Sequence, residues 1–264
     1  AAAAAAAAAA SNPSSSAVTV AQPPTSEFAD YEALQQGVAR DLNTLADANG
    51  APSSRLRAVR RISDIVETLP VELLGEAATS LFAKPLLRRF EDSSEQCREL
   101  SITGFTRLVE RTGAVLELLP YAIPVLRDRL GPVEPESKNP KEPSEELRVK
   151  LHALLRWLLS SAEAGISAYA SDAVEIMEFT VEDGHADVLI EACACLEVLV
   201  QHLGRRLQPV SKKLAWTFTP NLTHKRAKVR VATLRALRGL MHCGAHETLL
   251  DLVAFRHPTL VPIK

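Results

Sequence analysis

The chain has 264 residues, of which 47% are apolar, 23% charged and only 5% aromatic. That is enough aliphatic material for a sizeable core, and its bias favours helix packed on helix. A formal net charge of −2 singles out no class of partner. Four cysteines (Cys97, Cys193, Cys195 and Cys243) in so long a chain do not suggest a disulfide framework and fit reduced, buried thiols of an intracellular protein.

In chain order, residues 1–10 are all Ala and residues 11–26 are rich in Ser, Pro and Thr, which predicts a low-complexity or disordered tail. Nothing there has the basic flank and cleavage site of a signal peptide. No apolar run along the chain reaches the roughly 18–20 residues of a membrane span. Residues 27–264 then repeat one event: a turn, a basic or polar residue, and a helix of Ala and Leu. Arg57, Arg98, Arg148, Glu191 and Arg230 mark that event at intervals of 41, 50, 43 and 39 residues. HEAT-type units recur every ~40–47 residues.

In the second unit a first helix is expected near 72–90 and a second near 95–111, with Ser94 as N-cap and Gly113 as the stop. The second helix carries Cys97, Leu100, Ile102, Phe105, Leu108 and Val109 at largely helical spacing. The long third interval contains residues 131–143, whose four Pro and one Gly cannot continue a helix, so an exposed, disordered insertion is expected. Ser144 then opens a helix with Leu147, Leu151, Leu154, Leu155 and Leu158 on its core face. In the fourth unit Asp187 precedes Val188, Leu189, Ala192, Leu196, Leu199 and Val200. In the fifth, Val229, Ala232, Leu234, Leu237 and Leu240 form the apolar face. Gly113, Gly165, Gly204 and Gly244 close these second helices, and Pro120, Pro124, Pro209 and Pro220 punctuate the first helices. About five helical pairs stack into an all-α HEAT-repeat solenoid, since one pair cannot bury its apolar face alone. A further helix-like segment (residues 246–255) lacks a mate. The solenoid is therefore expected to continue beyond residue 264.

Several runs resemble a specific family. They are Arg129-Leu130-Gly131-Pro132-Val133, the Pro-rich loop and Glu145-Glu146-Leu147-Arg148, followed by Glu191-Ala192-Cys193-Ala194-Cys195 and Lys228-Val229-Arg230-Val231-Ala232. In this order, over roughly residues 55–255, the sequence resembles the HEAT-repeat dynein axonemal assembly factor family. The resemblance implies a cytoplasmic factor that helps fold and assemble outer and inner dynein arms before transport into cilia. It also implies that this chain is the N-terminal part of a longer solenoid. It carries over no catalytic residue.

Charge segregation marks the candidate surfaces. From Trp157 to Gly204 there are nine acids and no Lys or Arg; from Arg205 to Arg238 there are ten Lys/Arg and no acid. Adjacent surfaces of opposite sign steer and orient protein partners. The alternative is that stacked neighbours neutralise one another. The partner-binding candidates are Lys225, Arg226, Lys228 and Arg230 on the basic side and Glu175, Glu178 and Glu182 on the acidic side.

Nucleic acid is the competing partner for the basic block, but only Trp216 and Phe218 lie within it to stack on bases, and the acidic unit beside it repels phosphate. Cys193 and Cys195, at i and i+2 of a helix, point ~200° apart and do not suit one zinc ion. With no phosphate loop, nucleophile elbow or Cys–His motif, no catalytic, cofactor or metal residue is assigned. Asn221-Leu222-Thr223 fits a glycosylation sequon by chance composition, and Trp157 and Trp216 are expected in the core.

The resulting expectation is a non-enzymatic scaffold whose partners are proteins (dynein chains, other assembly factors or axonemal proteins) and not membranes. The alternatives are a structural component of the ciliary axoneme and, last, a transport adaptor.

Overall fold

The structure is a computed structural model that describes residues 27–245 apart from 48 and 136. The expected N-terminal tail and the segment 246–264 lie outside the described residues. Five pairs of antiparallel helices follow one another. The first pair is α1 (Tyr31–Ala46) and α2 (Pro52–Thr68). In the second, one rod runs through α3 (Val71–Ala77), a π-helical turn, α4 (Ala83–Arg88) and a 3-10 turn ending at Glu91; α5 (Glu95–Thr112) returns along it. Then come α6 (Val115–Leu130) with α7 (Glu145–Ser161), α8 (Ala170–Thr180) with α9 (Ala186–Leu203), and α10 (Gln208–Phe218) with α11 (Ala227–Leu240). Among the described residues the only extended pairing is an isolated antiparallel bridge between Pro132 and Pro140.

The helices start and stop for local reasons. Asp30 caps α1 by accepting the Ala33 N–H at 2.8 Å, and Pro52 opens α2, where its missing N–H costs nothing. Gly113 ends α5 in the left-handed region at φ 63°. Second helices form one layer and first helices the other. The α2–α5, α7–α9 and α9–α11 seams are dense, while α5 and α7 meet more sparsely. At the α2–α5 seam Gly104 is required, because a Cβ there would stand 2.6 Å from the Ser63 hydroxyl. One continuous apolar core runs through the stack, and a small second cluster of Ala186, Leu189 and Val229 lies between α9 and α11.

The structure corrects several expectations. Ser94 and Ser144 occupy N-cap positions, but neither side chain makes the capping bond. The side chains two residues earlier instead brace the turn: Asp92 accepts the Ser94 N–H at 2.9 Å, and Glu142 accepts the Ser144 N–H at 3.1 Å. Asp187 lies inside α9, which starts at Ala186. Gly165 does not close α7, which ends at Ser161 and is followed by a 3-10 segment, Glu163–Tyr169. A Cβ at Gly165 would stand 2.5 Å from the tip of the exposed Leu116 side chain, which would have to shift. Leu234 is 56% and Trp216 45% exposed, so neither belongs to the core.

The Pro-rich segment is also more ordered than its composition predicts. Val133 N–H donates to Asn139 O, Lys141 N–H to Gly131 O and Glu142 N–H to Arg129 O, making a hairpin-like clasp. Its final acid, Glu142, is fully buried.

Candidate protein-interaction surfaces

The turns between paired helices are held by a ladder of arginines. Arg55, Arg98, Arg148 and Arg230 are each the fourth residue of their second helix. The true register of the repeat therefore runs through Arg55 and Leu189 rather than Arg57 and Glu191. Arg57 is exposed, and Glu191 pairs with Arg156 at 2.9 Å.

One side of each guanidinium donates to carbonyls in the turn before its own helix. Arg98 reaches Asp92 O at 2.9 Å, Arg148 reaches Glu142 O at 3.0 Å and Arg230 reaches His224 O at 2.9 Å; Arg55 does the same to Gly50 O. The other side forks a carboxylate in the next turn. Arg55 holds Asp92 at 2.7 and 3.0 Å, Arg98 holds Glu142 twice at 2.9 Å, and Arg148 holds Asp183 at 2.8 and 3.2 Å. This bidentate geometry is what a planar guanidinium and a carboxylate favour.

Two of the carboxylates are gripped by a second arginine from the first helix of their own unit. Arg89 reaches Asp92 at 3.1 Å and Arg129 reaches Glu142 at 2.6 Å. Burial opposes ionisation of Asp92, but the bonds from Arg55 and the Ser94 N–H, with the charges of Arg55 and Arg89, outweigh it. Its carboxyl is held below the ordinary carboxylate range. Each triad carries one more positive than negative charge.

The ladder changes at the fourth junction, where Leu189 replaces the arginine and His224 replaces the acid. Leu189 packs with Ala186 and Val229. His224 keeps only the bracing role, accepting the Arg226 N–H at 3.1 Å. A neutral bond, Asn221 Nδ2 to Val181 O at 3.1 Å, ties these two turns together. The sequon asparagine thus has a structural partner.

The acidic candidates lie along the outer layer and the turn that follows it. Glu175 on α8 pairs with Arg127 of α6 at 2.9 Å, and Glu178 on α8 with Lys213 of α10 at 2.7 Å. Glu182, just past α8, pairs with Lys138 of the clasp at 3.3 Å. Lys225 and Arg226 lie in the turn before α11, with Lys228 and Arg230 in its first turn. Lys225, Arg226 and Lys228 are exposed, and among the described residues none pairs with a carboxylate. The acidic and basic candidates therefore sit on different elements and do not converge on one site.

Three grooves between neighbouring helices were not legible in the chain. Between α5 and α7, where the seam is sparse, a groove of about 520 Å³ is lined by Ile102, Thr106, Leu154, Trp157 and Val198. Trp157 is therefore half-buried at a groove rather than enclosed. Between α6 and α8 a groove of about 550 Å³ carries Asp128, Asp172 and Glu175 beside Arg127. Between α4 and α6 a groove of about 470 Å³ carries Lys84, Arg88 and Arg89 beside Glu91.

The cysteines are buried. Cys193 faces Thr233 and Cys195 faces the His152 carbonyl, so neighbours in the same helix contact different elements. Burial pushes the Cys97 thiol up to about 11 and Cys193 to about 12. Burial likewise pushes His152 down to about 4, with its ring bonded to Arg148 O at 2.8 Å and Thr180 Oγ1 at 3.0 Å. Such groups are neutral packing elements at neutral pH. No group of His, Cys, Asp and Glu among the described residues is arranged to hold a metal. No described helix is long and apolar enough to cross a membrane.

Residues 45–256 match the family model described as dynein axonemal assembly factor 5-like, TPR repeats. Similar curated proteins are dynein axonemal assembly factor 5 of Xenopus laevis, 28% identical over 221 residues, and that of Homo sapiens, 29% identical over 234 residues. The matches cover 84% and 87% of this chain but only 26% and 27% of those proteins, so the chain spans about a quarter of their length. A designed armadillo repeat protein superposes with a TM-score of 0.57 at 14% identity, covering 84% of this chain and 94% of the designed one. That likeness concerns the fold: a solenoid of stacked helical units. Successive ladder positions here are 41–50 residues apart, longer than the ~34 of a tetratricopeptide unit and closer to the HEAT period.

Proposed function

The chain belongs to the dynein axonemal assembly factor 5-like family, and from that membership we propose that it is a stretch of a non-enzymatic scaffold that binds other proteins while axonemal dynein arms are put together in the cytoplasm. The observation that carries this reading is the family match across residues 45–256, which takes in most of the described helical pairs. A stack of helical pairs offers long exposed ridges and shallow grooves, which suit polypeptide partners better than small substrates. The four cysteines and His152 are buried, and the acids at the turns are held in ion pairs, which supports a binding role.

Within this reading, Lys225, Arg226 and Lys228 are the contact candidates on the basic ridge, with Arg230 shaping the turn beneath them. Glu175, Glu178 and Glu182 form the acidic side, where a partner must compete with Arg127, Lys213 and Lys138.

The test is fractionation of ciliated cells with quantitative mass spectrometry of cytoplasm and salt-washed axonemes. The expected result is a cytoplasmic protein whose removal depletes dynein arms. Retention on axonemes at a fixed ratio to their repeating components would instead make it a structural part. Reversal of Lys225, Arg226 and Lys228 to Glu is expected to weaken partner capture; capture unchanged would remove the basic ridge from the binding surface.

A further inference from the structure

The α4–α6 groove combines three features that the other two grooves lack. The first is uncompensated positive charge. Lys84 and Arg88 are exposed on its rim, and among the described residues neither pairs with a carboxylate. In the α5–α7 groove, by contrast, Arg107, Lys150 and Arg156 are already matched by Glu110, Glu99 and Glu191.

The second is a buried cation beneath that rim. Arg89 is 9% exposed and lines the groove, with one nitrogen on Asp92 at 3.1 Å. Its Nε is buried without a hydrogen-bond partner, a costly state for a guanidinium N–H. Asp92 is already forked by Arg55, so it cannot neutralise both arginines. The groove thus stands over an excess positive charge, opposed only by Glu91.

The third is a rigid apolar wall. Pro120, Tyr121, Pro124 and Val125 present one flank of α6. The Lys84 ammonium sits 4.9 Å from the Tyr121 ring centroid, a cation–π placement that fixes the lysine over the wall. The fixed rings of Pro120 and Pro124 keep this flank of α6 stiff.

We propose that this groove binds an acidic protein segment in which Asp or Glu residues flank an apolar or aromatic one. The carboxylates meet Lys84, Arg88 and the Arg89 edge, and the apolar side chain lies against Pro120, Tyr121 and Pro124. In the neighbouring α6–α8 groove, which shares Pro124, Arg127 is taken up by Asp172 and Glu175, and Asp128 is held by Lys141, so that groove offers the segment no comparable positive excess. Charge left unpaired on one side of a helix sets register and orientation more than affinity. The inference rests on the scaffold reading only in taking the ligand to be polypeptide.

The test is fluorescence anisotropy of the 264-residue chain with a fluorescein-labelled peptide, EEDFDEE, over a range of salt. Saturable binding that weakens with salt is expected. Replacing the central Phe by Ala is expected to cost about tenfold, and so is the double variant Lys84→Glu with Arg88→Glu. Both of those side chains are exposed, so helical content by circular dichroism should stay unchanged. Arg57→Glu with Arg60→Glu, both exposed on α2 and outside the groove, should leave the affinity as it was. No binding, no effect of Lys84 and Arg88, equal affinity without the Phe, or loss only in the Arg57 variant would each overturn the assignment. Any of these would leave the assembly role standing, since fractionation tests that separately.

Discussion

The junction between the second and third pairs and the junction between the fourth and fifth solve one problem with opposite chemistry. At the first, Arg98, Arg129 and Glu142 form a buried ionic knot whose carboxylate is fully enclosed. At the second, the equivalent positions hold Leu189 and His224, with an apolar cluster and one neutral Asn221 bond in place of the knot. Both junctions let the next pair stack, so the ionic form is not needed for stacking as such. What it adds is dependence between partners: a buried pair is replaceable as a unit, while half of it is a liability.

The largest expected effect comes from breaking the knot. Glu142→Ala leaves Arg98 and Arg129 buried and facing each other, and should cost about 3–5 kcal/mol. A fall in the urea midpoint checks it; an unchanged midpoint would mean the arginines escape to solvent. Next, Asp183→Ala strands only Arg148 and should cost about 2–3 kcal/mol, less than the knot because one guanidinium is affected. The sharper test transplants the apolar solution. Arg148→Leu combined with Asp183→His copies Leu189 and His224 into the third junction. The double variant should be more stable than Asp183→Ala alone. If it is worse, the two junctions are not interchangeable.

A graded effect is pH dependence from His152, behind Arg148. Its folded pKa, about 4, lies below the ordinary value near 6.5. The unfolded chain therefore takes up the proton first as pH falls. Stability from this group is full above about 6.5 and is lost toward pH 4, at up to ~1.4 kcal/mol per pH unit. Replacing His152 with Gln should flatten that part of a thermal-melt pH profile. The smallest effect is expected at the outer pairs. Glu178→Ala removes an exposed partner of Lys213 and should change stability by less than ~0.5 kcal/mol, measured by the same urea titration.

Much of the fold was readable from the chain because helical period, turn residues and repeat interval are local properties. The first helix of the second unit, expected near 72–90, spans 71–91 with a π-helical turn inside it, and α5 differs from its expected end by one residue. The register was read two residues off in the first and fourth units. An arginine's role depends on which acid it faces 35–44 residues later, and Arg57 looks no different from Arg55 in sequence. The Pro-rich segment was misread for the same reason: composition reported its breaks but not that Glu142 would be swallowed by Arg98 and Arg129. Of the candidate surface, the charge blocks were visible, but the Lys84–Arg88–Tyr121 groove was not. Its residues come from two units 33–37 positions apart, inside otherwise ordinary helices.

By itself, then, the sequence determined the all-α class, the paired helices and the kinship, since these follow from backbone propensity, apolar spacing and short motifs. Only the tertiary structure decided which arginine holds which carboxylate, that the fourth junction has no such pair, and where positive charge is left uncompensated. Those outcomes depend on distance through space and on exclusion of water, and neither is written along the chain.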